Sequence, residues 1–236
     1  MKKHFFNYYR LTGDEIKQLW DDGLFILDTN VLMKFYCYTD AARTDFLNAL
    51  KLKAEQLWVP NQVAFEYQKN RLDKIDEQMR AYDTIKKLLD QHLQFEKLSA
   101  PLENYKYHPY IDKDAILAQI SRTKNEIESI KTNLDETKKK HPNLIKDDAI
   151  RSEIKDLFDG RVGEPCNKTE LETIYKKGES RYKDNIPPGY KDSGKKDVSI
   201  EGDSLIKNKY GDLIIWLQII EKAKIEKKPV IFVTDE

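Results

Sequence analysis

Apolar residues along the chain follow two rhythms: short unbroken runs, and long stripes that repeat every three to four residues. Leu24 to Leu27 and Pro229 to Val233 are runs of strand length, and Gln56 to Val59 is a third strand candidate. Continuous apolar runs of this length read as strands buried on both faces, as in a parallel sheet. Thr12 followed by Glu15 forms a capping box and predicts a short helix to about Asp21, broken by Gly23. A helical pattern resumes around Ala41 to Lys51. Pro60-Asn61 ends the second strand and starts a helix, with Asn61 as its cap.

The longest stripes lie in the middle of the chain. Leu72, Ile75, Met79, Tyr82, Leu89 and Leu93 repeat at spacings of three and four, with one gap where Lys86 intervenes. After a turn-rich stretch from Ser99 to Tyr110, Ile116, Ile120, Thr123, Ile127, Ile130 and Leu134 repeat in the same way. This is a heptad-type seam. Two such helices joined by one connection predict an antiparallel hairpin, an arm roughly 40 Å long. Lys138 to Pro142 ends it.

Short helices are expected at Glu153 to Phe158 and Thr169 to Tyr175. From Gly178 to Gly211 the composition shifts, with five of the nine glycines plus Pro187 and Pro188, and the window reads as one long loop. Gly211 opens an amphipathic helix whose core face is marked by Leu213, Trp216, Leu217, Ile220 and Ala223. The order of strands and helices predicts an α/β fold with a parallel sheet, the helical arm inserted after the second strand.

Composition narrows this picture. Charged residues make up 35% of the chain and apolar ones 39%, a mixture that favours amphipathic helices over disorder. Lys+Arg and Asp+Glu balance at 41 each, so any basic track for a nucleic acid must be local. Cys37 and Cys166 fit no metal spacing and read as reduced thiols of a cytoplasmic protein. The four histidines are scattered, which argues against zinc. The opening residues lack a signal-peptide core, and no run approaches the length of a membrane span.

The chemistry lies in four acids. Two strand-type runs end alike, at Asp28 and Asp235. In parallel α/β sheets, ligands bind outside the carboxyl ends of the strands. Glu66 lies early in the helix after the second strand, and Asp212 in the first turn of the helix before the third. Ile215, Trp216 and Ile219 place Asp212 on or beside an apolar stripe. Any one of these acids, taken alone, reads more readily as a helix cap or a solvated residue. Together, four clustered carboxylates require a cation, and oxygen-only ligands select Mg²⁺ or Mn²⁺ over zinc. Such a site suits in-line displacement at phosphorus.

These segments resemble a known family. Leu24 to Leu32 with Asp28-Thr29-Asn30, Val59 to Glu66, Tyr210 to Trp216 with Asp212, and Val230 to Asp235 resemble, in order, the four acidic motifs of PIN-domain nucleases. Ile186 to Asp192 is similar to a segment of a bacterial PIN-like branch that carries a long helical insertion. The resemblance implies a three-layer α/β PIN-like fold with a central parallel sheet and an inserted antiparallel helical hairpin. It implies metal ligation and catalysis by Asp28, Glu66, Asp212 and Asp235, with Asn30 and Thr234 orienting the ligands. It places the nuclease domain at 1–66 and 170–236, the arm at 67–145, and a connecting helix and loop at 146–169. Family members continue past the fourth acid, so the expectation is a domain truncated at its C-terminal end.

Lys191, Lys195, Lys196 and Tyr190 are the candidate substrate contacts, with a solvated loop as the competing reading. Asp192 is a candidate accessory acid. Lys34 reads first as an exposed helix lysine and second as a phosphate contact. Tyr105 to Tyr110 at the arm tip either closes the hairpin or stacks on unpaired bases. The expected function is a metal-dependent endonuclease acting on RNA more readily than DNA, in a toxin or anti-phage setting. The rivals are a structure-specific DNA nuclease, or a scaffold that binds RNA or protein through the arm.

Overall fold

The computed structural model describes residues 1, 4, 5 and 8–235. Along the chain the elements are α1 (Gly13–Asp22), β1 (Leu24–Leu27), α2 (Thr29–Lys34), α3 (Asp40–Lys51), β2 (Leu57–Trp58) and α4 (Asn61–His92). There follow α5 (Glu96–Leu102), α6 (Lys113–Lys140), α7 (Ala149–Leu157), α8 (Lys168–Lys183), β3 (Val198–Glu201), β4 (Ser204–Lys207), α9 (Gly211–Glu226) and β5 (Val230–Val233). The result is the expected α/β fold with a central parallel sheet and a long helical insertion. Two compact units are present: Met1–Arg71 with Ala149–Glu236, and Leu72–Asp148.

In the first unit the strand order is β2-β1-β5, and both pairings are parallel. Alternate residues of a strand face opposite sides of a sheet. Leu24, Phe25, Ile26 and Leu27 are all buried, so both faces of β1 are covered, which gives a three-layer arrangement. Its entry is set by local chemistry. Thr12 and Glu15 close the capping box of α1, and Gly23 ends that helix against the Leu19 carbonyl, where a Cβ would come within 2.3 Å. β5 is an edge strand among the described residues and is only half-buried, with Phe232 38% exposed. Its unbroken apolar run therefore does not mark a strand closed on both faces. Beyond β2, Val59 makes a parallel bridge to Val162, a pairing with no local sequence signal.

Three expectations are corrected. The window from Gly178 to Gly211 is not one loop. α8 runs on to Lys183, residues 190–194 form a 3₁₀ turn, and β3 and β4 pair as an antiparallel hairpin around Gly202-Asp203. Gly202 adopts φ 55° and Gly189 φ 81°, which glycine tolerates without strain, and these two mark turns between short elements. In α9 the fully buried residues are Leu213, Ile214, Ile215 and Ile219, while Trp216 is 44% exposed. Leu213 and Ile214 join a core cluster with Leu171, Ile174, Tyr182, Ile206 and Tyr210, which sequence periodicity on one helix could not reveal. Asp212 is exposed, so it lies beside the stripe of Ile215 and Ile219 rather than on it. Finally, the helix expected over Ala41 to Lys51 is present as α3, but an additional helix, α2, begins directly at Thr29, and Asn61 is the first residue of α4 rather than its cap.

The second unit is held by paired helices. Asp83 meets Lys138, Lys86 meets Asp135, Asp90 meets Lys131 and Glu96 meets Lys124. Partner numbers fall on one helix as they rise on the other, the signature of antiparallel packing. Tyr82 and His141 add a hydrogen bond of 3.0 Å. The seam departs from the expected one: Ile116 and Ile130 are exposed, and α6 buries none of its residues fully. Two helices have only one shared stripe, and the stems of Lys131 and Lys138 fill part of it while their ammonium groups pair outward. The stretch after α4 is not simply turn-rich, since α5 and a 3₁₀ turn at Glu103–Tyr105 occupy it.

Ile26 lies at the centre of the sheet and is fully buried. Ile26→Ala is expected to destabilise the first unit by about 3 kcal/mol, combining lost transfer energy with a residual cavity. Urea unfolding followed by circular dichroism checks this, and a loss below about 1 kcal/mol would contradict the assigned core.

Candidate active site

Parallel pairing sets the site. β1 and β5 are in register from Leu24↔Val230 to Leu27↔Val233, and the Asp28 amide donates to the Val233 carbonyl at 2.9 Å. The residue opposite Asp28 is therefore Thr234, with Asp235 one step beyond. Both strands deliver their following residues to one carboxyl edge.

Asp28 caps α2, its Oδ1 accepting from the Thr29 amide at 2.7 Å. The cap reading and the ligand reading are thus compatible, since the cap uses one carboxylate oxygen. Oδ2 accepts from the Thr234 hydroxyl at 3.1 Å, and that hydroxyl accepts from Asn30 Nδ2 at 3.0 Å. Asn30 Oδ1 in turn accepts from the Asp235 amide at 3.3 Å. Asn30 and Thr234 so tie the two acidic strand ends together. The Asp235 carboxylate meets the Lys34 ammonium at 2.8 Å, and this neighbour raises the pKa of Lys34.

Glu66 projects from the second turn of α4. Its two oxygens accept from Gln62 Nε2 at 2.8 Å and from the Thr29 hydroxyl at 2.9 Å. Gln62 lies one turn earlier on the same helix face, a relation legible in the sequence but not singled out there. Burial is the main cause of a raised pKa at Glu66. The two hydrogen bonds oppose the rise, and the charges of Asp212 and Asp28 add to it. Gly211 lies against this carboxylate, and a Cβ there would come within 2.6 Å of Glu66 Oε1.

Asp212 enters from the first turn of α9, where the helix dipole favours its charge. Gly189 packs on it: a Cβ at Gly189 would lie 3.1 Å from Asp212 Cβ and 2.6 Å from the Tyr182 hydroxyl. Gly189 has φ 81°, so both conformation and space call for glycine. The Tyr182 hydroxyl donates to the Lys209 carbonyl at 3.0 Å, and burial with the nearby Asp212 charge pushes its pKa up to about 12. The segment from Pro188 to Tyr190 is thereby seated on Asp212, a role invisible in the spacing of the acids.

The remaining candidates are less gathered. Lys195 pairs with Asp192 at 2.6 Å, so both are committed to each other. Tyr190 is half-buried and packs against the Leu171–Ile214 cluster. Lys191 and Lys196 are exposed. Among the described residues, no three His, Cys, Asp or Glu side chains converge into a group that could hold a metal ion. The carboxylates of Asp28, Glu66 and Asp235 are instead turned onto protein partners.

An α/β domain with acids at the carboxyl edge of parallel strands is thus the class of this protein. Residues 24–236 match the family model described as a PIN like domain. The chain belongs to the PIN-like domain family, within a superfamily of nucleases. No curated protein and no solved structure gives a significant match. No helix among the described residues is long and apolar enough to cross a membrane.

A carboxyl group with a raised pKa binds its proton more tightly folded than unfolded. Stability from that source is full below the ordinary glutamate value of 4.5 and is lost as pH rises through the raised folded value. In chelator, Glu66→Gln should therefore melt above wild type at pH 7, with the gain vanishing below pH 4.5. Scanning fluorimetry across pH reads this, and a variant less stable than wild type at neutral pH would refute the burial argument.

Proposed function

We propose that this protein is a divalent-metal-dependent endonuclease, with RNA as its favoured substrate and Asp28, Glu66, Asp212 and Asp235 as its catalytic acids. The observation that carries the reading is the linkage of Asp28 and Asp235 through Thr234 and Asn30 at one sheet edge, with Thr29, the residue after Asp28, bonded to Glu66. Membership of a nuclease superfamily supports it.

The donor set suits Mg²⁺ or Mn²⁺. It offers carboxylate oxygens without histidine or thiolate, and a bound cation would draw together acids that here meet protein partners. When bound, the ion would activate water and neutralise charge at the phosphate. The chain's own groups supply position. Asn30 and Thr234 hold Asp28 and the Asp235 backbone in one network. Gln62 and Thr29 orient Glu66, and Gly189 and Gly211 leave room for Asp212 and Glu66. Lys191 and Lys196, exposed cations on the segment that follows Gly189, would be the chain's contacts to the phosphate backbone. The resemblance to PIN-like nucleases suggests a toxin or anti-phage effector as the biological setting.

Asp28→Asn discriminates catalysis from capping, because Asn caps a helix about as well as Asp but removes the charge. The full chain and this variant would be incubated with labelled single-stranded RNA, transfer RNA and single-stranded DNA, in Mn²⁺, Mg²⁺ or chelator. We expect wild type to cut RNA only with metal, and the variant to lose at least about 100-fold in rate with its melting temperature little changed. Cleavage that survives the substitution, or that survives chelator, would overturn the assignment. Preferential cutting of DNA would correct the substrate class.

A further inference from the structure

α2 carries an acid of the site at one end and a cation at the other. Asp28 caps its start, and Lys34 in its last turn places an ammonium 2.8 Å from Asp235 Oδ2. Asp28 and Asp235 are already tied through Thr234 and Asn30. The chain itself thus supplies a cation to this linked pair. The Lys34 and Asp235 side chains are 43% and 48% exposed, and an ion pair so open to solvent is weak and easily parted.

We propose that Lys34 is a positioning residue that holds Asp235 in the place of the divalent cation and competes with that cation for it. The inference rests on the metal-dependent reading above. Without metal, the ammonium neutralises Asp235 and keeps its carboxylate at the shared edge, beside an acid that would otherwise repel it. A divalent ion can draw on several carboxylates at once, while the ammonium meets one in this structure. Metal entry therefore displaces Lys34 from Asp235. The displaced ammonium remains on the same short helix as the Asp28 cap and opposes the arriving charge. Its presence weakens metal binding and sets the metal concentration at which the site fills.

The test is Mn²⁺ binding to the full chain, read from the electron paramagnetic resonance signal of free Mn²⁺. Wild type, Lys34→Gln and Lys34→Arg are compared, counting only the binding that Asp28→Asn removes. Lys34→Gln is expected to bind Mn²⁺ about three- to tenfold more tightly, with Lys34→Arg close to wild type. A gain in affinity cannot come from a damaged fold, and the arginine variant separates charge from shape. If Lys34→Gln binds no more tightly than wild type, the competition is refuted while the metal site stands. If wild type and both lysine variants show no such binding, the metal-dependent reading itself falls, and the role of Lys34 with it.

Discussion

Keeping a charged Glu66 in a partly closed space beside other acids is the constraint around which the site is arranged. Burial raises its pKa, and the Asp212 and Asp28 charges raise it further. Left alone, such a group would hold its proton to higher pH than a free glutamate does. The surroundings oppose that: Gln62 and Thr29 donate one hydrogen bond to each carboxylate oxygen. Gly211 leaves the space that the carboxylate fills. Like-charge repulsion, hydrogen bonding and the absence of a side chain at one glycine are thus parts of a single balance.

The same balance recurs along the sheet edge in a more exposed form. Parallel pairing of β1 with β5 would by itself set Thr234 against Asp28 and leave Asp235 offset by one residue. A one-residue offset in a strand sends a side chain to the other face. Here the chain has left the strand, and Asn30 spans the offset by bonding to both Thr234 and the Asp235 amide. The Lys34 ammonium then meets the Asp235 carboxylate. Half-buried Glu66 is held by neutral donors, and exposed Asp235 by the Lys34 ammonium.

The helical unit follows other physics. Its ion pairs join α6 to α4 and, at Glu96, to α5, and exposed pairs of this kind contribute little to stability. What they fix is alignment, since each cation has a definite partner on the other helix. Tyr107 and Tyr110 stay open to solvent, with the Lys106 ammonium 5.4 Å from the Tyr107 ring centroid. Those two rings do not close the end of the hairpin.

Much of the fold was legible because its signals are local. The capping box at Thr12, the unbroken run of β1 and the stripe of α6 each depend on neighbours a few residues apart. The Gly178–Gly211 window was misread for a related reason: its elements are short, and one buried face of its hairpin, Ser199 and Ile206, spans two strands. The apolar stripe of α9 was misplaced because that helix buries residues against more than one neighbour.

For the acids, the sequence alone determined which residues stand at strand ends and first helical turns, because those positions follow from local periodicity and capping. It did not determine their partners. Thr234 reaches Asp28 across 206 residues, Thr29 reaches Glu66 across 37, and Gly189 meets Asp212 through the packing of a turn. Such contacts depend on strand register and on how helices seat upon a sheet. Neither leaves a mark in any short stretch of sequence, so only the tertiary structure decided how each carboxylate is held.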